Sequence, residues 1–381
     1  MSRARTNRWT RFRRNRPKQF KSGASVRLLE DIDGYLPAML EAIRSARRQV
    51  LLETYMIASD ETGRQVIDAL CERAKAGVNV RLVFDAVGSR MLSREDRIRL
   101  RDSGARLRMF HRLRLFQLSR FFLRTHRRIL VIDDTVGYVG GYGFTDDWSD
   151  RAPRGKYHER VWELKGPVLN DLQRAFRWGC GRAMAAGVEI LDPAPRHDDV
   201  AWRVMSLTHL GRDQALRRIA RDLACGANAR LWLATGYFVP TLTFRHALME
   251  ASRRGVDVRL YLTGEKTDHP LVRIAARRSY GALLASGVRI FESVARPMHA
   301  KCLVVDEGYA NLGSANMDRW SLHFNRELNV EVSDKKTNRC LADSLLRLEA
   351  QSKEIRAADM THRSPREKIM GLVAALFEWA L

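Results

Sequence analysis

Two histidines, each two residues ahead of a cation, occupy matching places in the two halves of this chain. His126 and Arg128 are followed by Asp133, and His299 and Lys301 are followed by Asp306. Seven residues past each aspartate lies a turn of small residues, Gly140-Gly141-Tyr142-Gly143 in the first half and Gly313-Ser314-Ala315-Asn316 in the second. One imidazole can attack a phosphodiester phosphorus to form a phosphohistidine while another protonates the leaving alkoxide. Paired cations can neutralise the equatorial oxygens, so the chemistry requires no metal or other cofactor. The matched spacing implies one active site built from two halves, with His126, Arg128, Asp133, His299, Lys301 and Asp306 as its catalytic set. Gly141, Gly143, Ser314 and Asn316 would let the backbone approach the phosphate closely. Each histidine also needs a group that fixes its tautomer. Glu159 and Glu327, each opening a strand-like apolar run, are the candidates; the alternative is that both are surface carboxylates paired with nearby arginines.

The surrounding pattern has to hold these groups in place. Leu36, Met39, Leu40 and Ile43 fall at helical spacing, and Gln49–Tyr55 reads as a strand. A helix through Val66, Ile67 and Leu70 is stopped by Gly77, and a strand follows over Val78–Phe84. The second half repeats this order, with a strand over Leu231–Val239, a helix over Leu242–Arg254 ended by Gly255, and a strand over Val256–Leu262. Gly77 and Gly255 stand 178 residues apart, Gly104 and Gly287 183, and His126 and His299 173. Offsets this similar indicate a duplication, and alternating strands and helices predict an α/β sheet sandwiched by helices in each half. The apolar runs Ile129–Ile132 and Leu303–Val305 would anchor the histidine strands, on which positions i and i+2 share a face.

The 381 residues suffice for two medium domains, and 45% hydrophobic content supports a true core. A formal charge of +23 predicts an anionic partner, either a membrane surface or nucleic acid. The five cysteines are scattered with no Cys-x-x-Cys pair, which indicates neither a zinc site nor a disulfide framework. Residues 1–22 read as a disordered basic arm in which Trp9, Phe12 and Phe20 are interleaved among arginines and lysines, suited to anionic headgroups or to nucleic acid. A first domain is expected over 23–182, a linker over 183–200 and a second domain over 201–360. Residues 361–381 would form an amphipathic tail that either lies in a membrane interface or closes the second half. Arg112–Arg124, mixing arginines with large apolar residues just before His126, suits a surface resting on lipid or a core helix with solvated arginines. No apolar run is long enough to span a bilayer, and the N-terminus lacks a signal-peptide core.

The second motif, His299-x-Lys301-x4-Asp306-x6-Gly313-Ser314-x-Asn316, matches the signature of the phospholipase D superfamily in full, and the first resembles it with substitutions. Leu51–Met56, Asp60–Gly63, Gly77–Arg81, Phe84–Ser89 and Lys165–Val168 resemble the bacterial cardiolipin synthase branch. The resemblance implies two tandem phospholipase D-like α/β sandwich domains related by a pseudo-twofold axis, with the active site at their interface. It implies metal-independent phosphatidyl transfer onto phosphatidylglycerol to make cardiolipin, with His126 as nucleophile and His299 as acid and base. Anionic phospholipids, phosphatidylglycerol and cardiolipin among them, would be its partners, at the cytoplasmic face of the bacterial inner membrane. Two departures stand out: Arg128 replaces the family lysine, and Gly143 replaces an asparagine, which removes a hydrogen-bond donor from the first half-site. A phosphodiesterase hydrolysing phospholipid or nucleic acid, and a catalytically silent basic membrane-binding protein, are the alternative readings.

Overall fold

The computed structural model describes residues 19–111, 123–153, 155–191, 198–206, 215–318, 321 and 324–361. Most of the basic arm, of Arg112–Arg124 and of the C-terminal tail therefore lies outside the described residues, as does the centre of the expected linker.

The first lobe contributes strands β1 (Lys21–Glu30), β2 (Gln49–Thr54), β3 (Asn79–Asp85), β4 (Arg106–Phe110), β5 (Ile129–Ile132), β6 (Val136–Gly140) and β7 (Arg160–Lys165). The second contributes β8 (Val200–Ser206), β9 (Arg230–Thr235), β10 (Asp257–Thr263), β11 (Arg289–Ser293), β12 (Cys302–Val305), β13 (Tyr309–Gly313), β14 (Leu328–Ser333) and β15 (Ser352–Ile355). In the first lobe the strands lie side by side as β1-β7-β6-β5-β2-β3-β4, and in the second as β8-β14-β13-β12-β9-β10-β11-β15. Apart from the added β15 the two orders are the same, which is the duplication expressed as topology. The lobes are not separate sheets. β1 pairs antiparallel with β8, setting Lys21 opposite Trp202 and Ala24 opposite Val200, and this seam makes one 15-stranded sheet. Strand β1 thus starts at Lys21, inside what the sequence reads as arm.

The helices are α1 (Asp31–Ser45), α2 (Glu61–Lys75), α3 (Arg94–Asp102), α4 (Val168–Gly179), α5 (Arg182–Ala185), α6 (Ala215–Gly226), α7 (Leu242–Arg253), α8 (Pro270–Ala285), α9 (Lys335–Glu349) and α10 (Ala357–Thr361). Several start where a side chain satisfies the first free N–H groups: Asp60 caps α2, Ser93 caps α3, Thr241 caps α7 and Asp334 caps α9. Apolar residues of α1 and α2 cover one face of the first lobe's sheet, and those of α6, α7 and α8 cover one face of the second. A third core belongs to both lobes: Val168, Leu169, Leu172 and Phe176 of α4 and Leu341, Leu345 and Leu348 of α9 pack with Val131, Trp162, Trp202, Val304 and Val330. Helix α4 rests on β8 and α9 on β1, so each lobe's last long helix also touches the other's first strand.

The segment expected as a linker is held against the first lobe. Val188 and Leu191 are buried, the Leu191 N–H donates to Gln173 Oε1 at 2.7 Å, and the Gln49 amide donates to the Glu189 carbonyl at 3.0 Å. Its apolar residues are too few to make a period, yet they fill the gap beside α4.

Candidate active site

Strands β5 and β12 are short, β-branched and buried along their whole length, so each fixes the residues just before it. Those residues are the two histidine motifs. They run extended along the seam of the lobes, where Thr125 bridges Arg326 and His158 bridges Met298. The His126 N–H donates to the Arg326 carbonyl and the His299 N–H to the His158 carbonyl, each at 2.9 Å. One pseudo-twofold pattern therefore places each histidine beside the residue that precedes a matching strand of the other lobe, β14 for His126 and β7 for His299.

That residue is a glutamate, and the pairing is crossed. His126 Nδ1 lies 2.9 and 3.1 Å from the two carboxylate oxygens of Glu327, and His299 Nδ1 lies 2.7 Å from Glu159 Oε2. Sequence order suggests that each glutamate serves the histidine of its own half; each instead reaches the opposite one. Both carboxylates are fully buried, which excludes the surface-pair reading. With Nδ1 engaged, Nε2 is the free nitrogen of each ring.

The cations repeat the symmetry. Arg128 donates from Nη1 to the His126 carbonyl at 2.9 Å and from Nε to the Tyr142 carbonyl at 2.8 Å. Lys301 donates to the His299 carbonyl, and its Nζ also lies 2.8 Å from His299 Nδ1. Burial pushes both imidazoles well below their ordinary range, reinforced for His126 by Arg128 and Lys301 and for His299 by Lys301, Arg128 and His126 itself. The crossed glutamates, and Lys301 Cδ standing 3.0 Å from where a Cβ on Gly141 would be, bring the two motifs together. Burial raises the Glu327 carboxyl to about 8, against the Ser314 hydrogen bond, and the Glu159 carboxyl to about 7, against Lys301. Burial lowers the Lys301 ammonium to about 7, with Glu159 opposing.

The turns meet the site unequally. Ser314 Oγ donates to Glu327 Oε2 at 2.5 Å and accepts from the Leu328 N–H at 3.0 Å. Its counterpart Gly141 leaves room instead: a Cβ there would lie 2.6 Å from Glu159 Oε2 and 3.0 Å from Lys301 Cδ. Asn316 is buried, with Oδ1 3.4 Å from Thr235 Oγ1.

Asp133 and Asp306 do not join this pocket. Asp133 accepts from the backbone N–H groups of Arg47, Arg48 and Gln49 at 2.8, 2.9 and 2.7 Å, and Asp306 from those of Asn228, Ala229 and Arg230 at 3.1, 2.8 and 3.2 Å. Both sit in the left-handed region, with φ of 50° and 46°, at the tight turns after β5 and β12. They tie each histidine strand to the start of the neighbouring strand, at the end remote from the imidazoles. Their place in the catalytic set is corrected to a structural one.

Aromatic residues outside the two histidine motifs complete the walls. Tyr55 stands edge-on to His126 with ring centroids 5.0 Å apart, while Trp148 and Tyr157 each lie 5.1 Å from His299. Tyr237, half-buried, donates to Asp268 Oδ2 at 2.6 Å. A Tyr or Trp at an irregular position carries no periodic signal, so only the fold reveals these. Among the described residues, no group of three His, Cys, Asp or Glu side chains is arranged to hold a metal ion.

Two topologically identical lobes around paired, carboxylate-backed histidines define a phospholipase D-type enzyme. Residues 39–170 and 222–348 match the family model described as cardiolipin synthase, PLD-like domain. Cardiolipin synthase B of Escherichia coli (strain K12) is 34% identical over 340 residues, spanning 86% of this chain and 80% of that protein. The probable cardiolipin synthase YwiE of Bacillus subtilis (strain 168) is 29% identical over 324 residues, spanning 84% and 64%. Among solved structures, phosphatidylserine synthase of Haemophilus influenzae Rd KW20 shares the fold at a TM-score of 0.70 and 13% identity, covering 97% of this chain and 96% of that one. The chain belongs to the cardiolipin synthase family of phospholipase D-like proteins.

Proposed function

We propose that this phosphatidyltransferase makes cardiolipin by moving a phosphatidyl group from one phospholipid onto the free glycerol hydroxyl of phosphatidylglycerol. His126 Nε2 attacks phosphorus as the bond to the leaving alcohol breaks, and that alcohol takes its proton from His299. The acceptor hydroxyl then gives its proton to His299 and attacks phosphorus, breaking the P–N bond and freeing His126. Arg128 and Lys301 face the equatorial oxygens of the transferred group. Gly141, Gly143, Ser314 and Asn316 form the cradle around it. The observation that carries this reading is the crossed pairing, His126 with Glu327 and His299 with Glu159, which gives both imidazoles a fixed tautomer in one pocket.

Phospholipid is the substrate class named by the family, and the charge of +23 suits an anionic bilayer. No helix among the described residues is long and apolar enough to cross a membrane. Peripheral attachment at the cytoplasmic face of the inner membrane is the arrangement we favour. The test is incubation of the purified protein with phosphatidylglycerol vesicles, with and without phosphatidylethanolamine, followed by identification of the products. Cardiolipin is expected together with free glycerol or, from the second donor, free ethanolamine. Phosphatidate alone would mark a hydrolase and overturn the transfer reading.

A further inference from the structure

Where the second lobe carries Asn316 the first carries Gly143, and the space left by the missing amide is occupied. A Cβ on Gly143 would lie 2.4 Å from Cζ3 and 2.6 Å from Cη2 of Trp148. Those distances are far inside van der Waals contact, so neither asparagine nor alanine fits while the indole is there. Trp148 is buried at the end of a single 3-10 turn, Asp146–Trp148, whose Asp147 N–H is capped by the Thr145 hydroxyl. That turn is fastened to α2. Thr62 donates to Asp146 Oδ1 from its N–H at 3.0 Å and from its hydroxyl at 2.6 Å, and the Asp146 N–H donates to Asp60 Oδ2 at 2.8 Å. The indole is thus a rigid wall and not a loose lid.

Its other side meets the second lobe's histidine. The Trp148 and His299 rings cross at 87° with centroids 5.1 Å apart, and Tyr157 closes a triangle at 4.8 Å from the indole and 5.1 Å from the imidazole. Among the described residues, the ring packed on His126 is Tyr55. Edge-to-face packing of this kind fixes ring orientation.

We infer that Trp148 is the positioning residue of the first half-site: its indole stands in the place of the asparagine side chain and holds the His299 ring so that Nδ1 stays on Glu159. Gly143 is glycine because Trp148 fills its side-chain space, and these two residues are coupled. The consequence is a half-site that lacks an amide donor but has a dry aromatic edge beside the proton-transferring imidazole. The inference rests on the phosphatidyl-transfer reading, since it assigns a role within that reaction.

A double-mutant cycle tests it. Gly143→Asn and Trp148→Ala are each expected to lower kcat about tenfold or more while KM moves less than about threefold. The pair together should regain about tenfold over the weaker single variant, because the amide then has room. Trp148→Phe, which keeps an aromatic edge, is expected to restore activity to within about threefold of the parent. Additive losses, or a fully active Gly143→Asn variant, would overturn the coupling. A second readout needs no turnover. The His299 imidazole, followed by NMR titration, should move up toward the ordinary histidine range in Trp148→Ala as water enters, and stay depressed in Trp148→Phe. An unmoved His299 titration in Trp148→Ala overturns the positioning role whether or not cardiolipin is made. Absence of transfer in the parent protein would instead remove the reaction assigned above.

Discussion

Glu327→Gln separates the crossed arrangement from a within-lobe one. The Ser314 hydroxyl accepts from the Leu328 N–H and so directs its own proton at Glu327 Oε2. A glutamine must therefore put its oxygen at that corner. Its –NH2 then faces His126 Nδ1, and it also crowds the Asn325 amide that donates to Oε1 at 3.4 Å. An N–H aimed at Nδ1 forces the proton onto Nε2, the nitrogen required to attack phosphorus. A wrong tautomer of this kind costs about 10³- to 10⁴-fold in rate, or about 4 to 5 kcal/mol of transition-state stabilisation. The assay is rapid-quench burst kinetics with a p-nitrophenyl phosphodiester, whose leaving group needs no acid. His126→Ala and Glu327→Gln are expected to give no burst. His299→Ala and Glu159→Gln are expected to give one and then stall, because only the acid and base is impaired. A burst from Glu327→Gln, or turnover within about tenfold of the parent, would refute the crossed assignment.

Four other outcomes are expected. Phosphoenzyme formation should rise with pH toward about 8, where Glu327 ionises and leaves Nε2 bare, and this limb should vanish in Glu327→Gln, as a pH–rate profile would show. The Glu327 value lies above the ordinary 4.5, so its contribution to stability is whole below that value and is lost as pH rises to about 8. Glu327→Gln should accordingly melt above the parent in alkaline buffer, read by calorimetry. Asp133→Ala, which strips three backbone N–H groups of their acceptor, should cost about 3 kcal/mol by denaturant titration while turnover per folded molecule holds. Arg128→Lys keeps the charge but cannot reach both the Tyr142 and His126 carbonyls, and should lose about tenfold in kcat.

The histidine and cation pairs, the glycine turns and the duplicated order of strands were legible because each depends on local spacing. Strand positions such as Gln49–Thr54 and helix positions such as Leu242–Arg253 follow from apolar periodicity that tertiary context did not override. Glu159 and Glu327 were legible as partners of the histidines, but which serves which was not, because 140 and 201 residues separate them from their imidazoles and no local rule selects between them. Asp133 and Asp306 misled for the opposite reason. They keep step with the histidines at fixed spacing, yet four residues of strand carry them to the far end of the sheet. The β1–β8 seam escaped notice because edge pairing between lobes leaves no mark on either strand's alternation. Trp148 was invisible beside Gly143 until the clash distance joined them.

Because each ring leans on a carboxylate from across the seam, harm and symptom fall on opposite sides of the molecule. On the roles proposed above, damage to the approach of β14 should silence His126 in the amino-terminal lobe, and damage before β7 should disable His299 in the carboxy-terminal one. Either portion expressed by itself is expected to be inactive in its own partial step. Two separately inactive fragments that re-form the seam should regain turnover together.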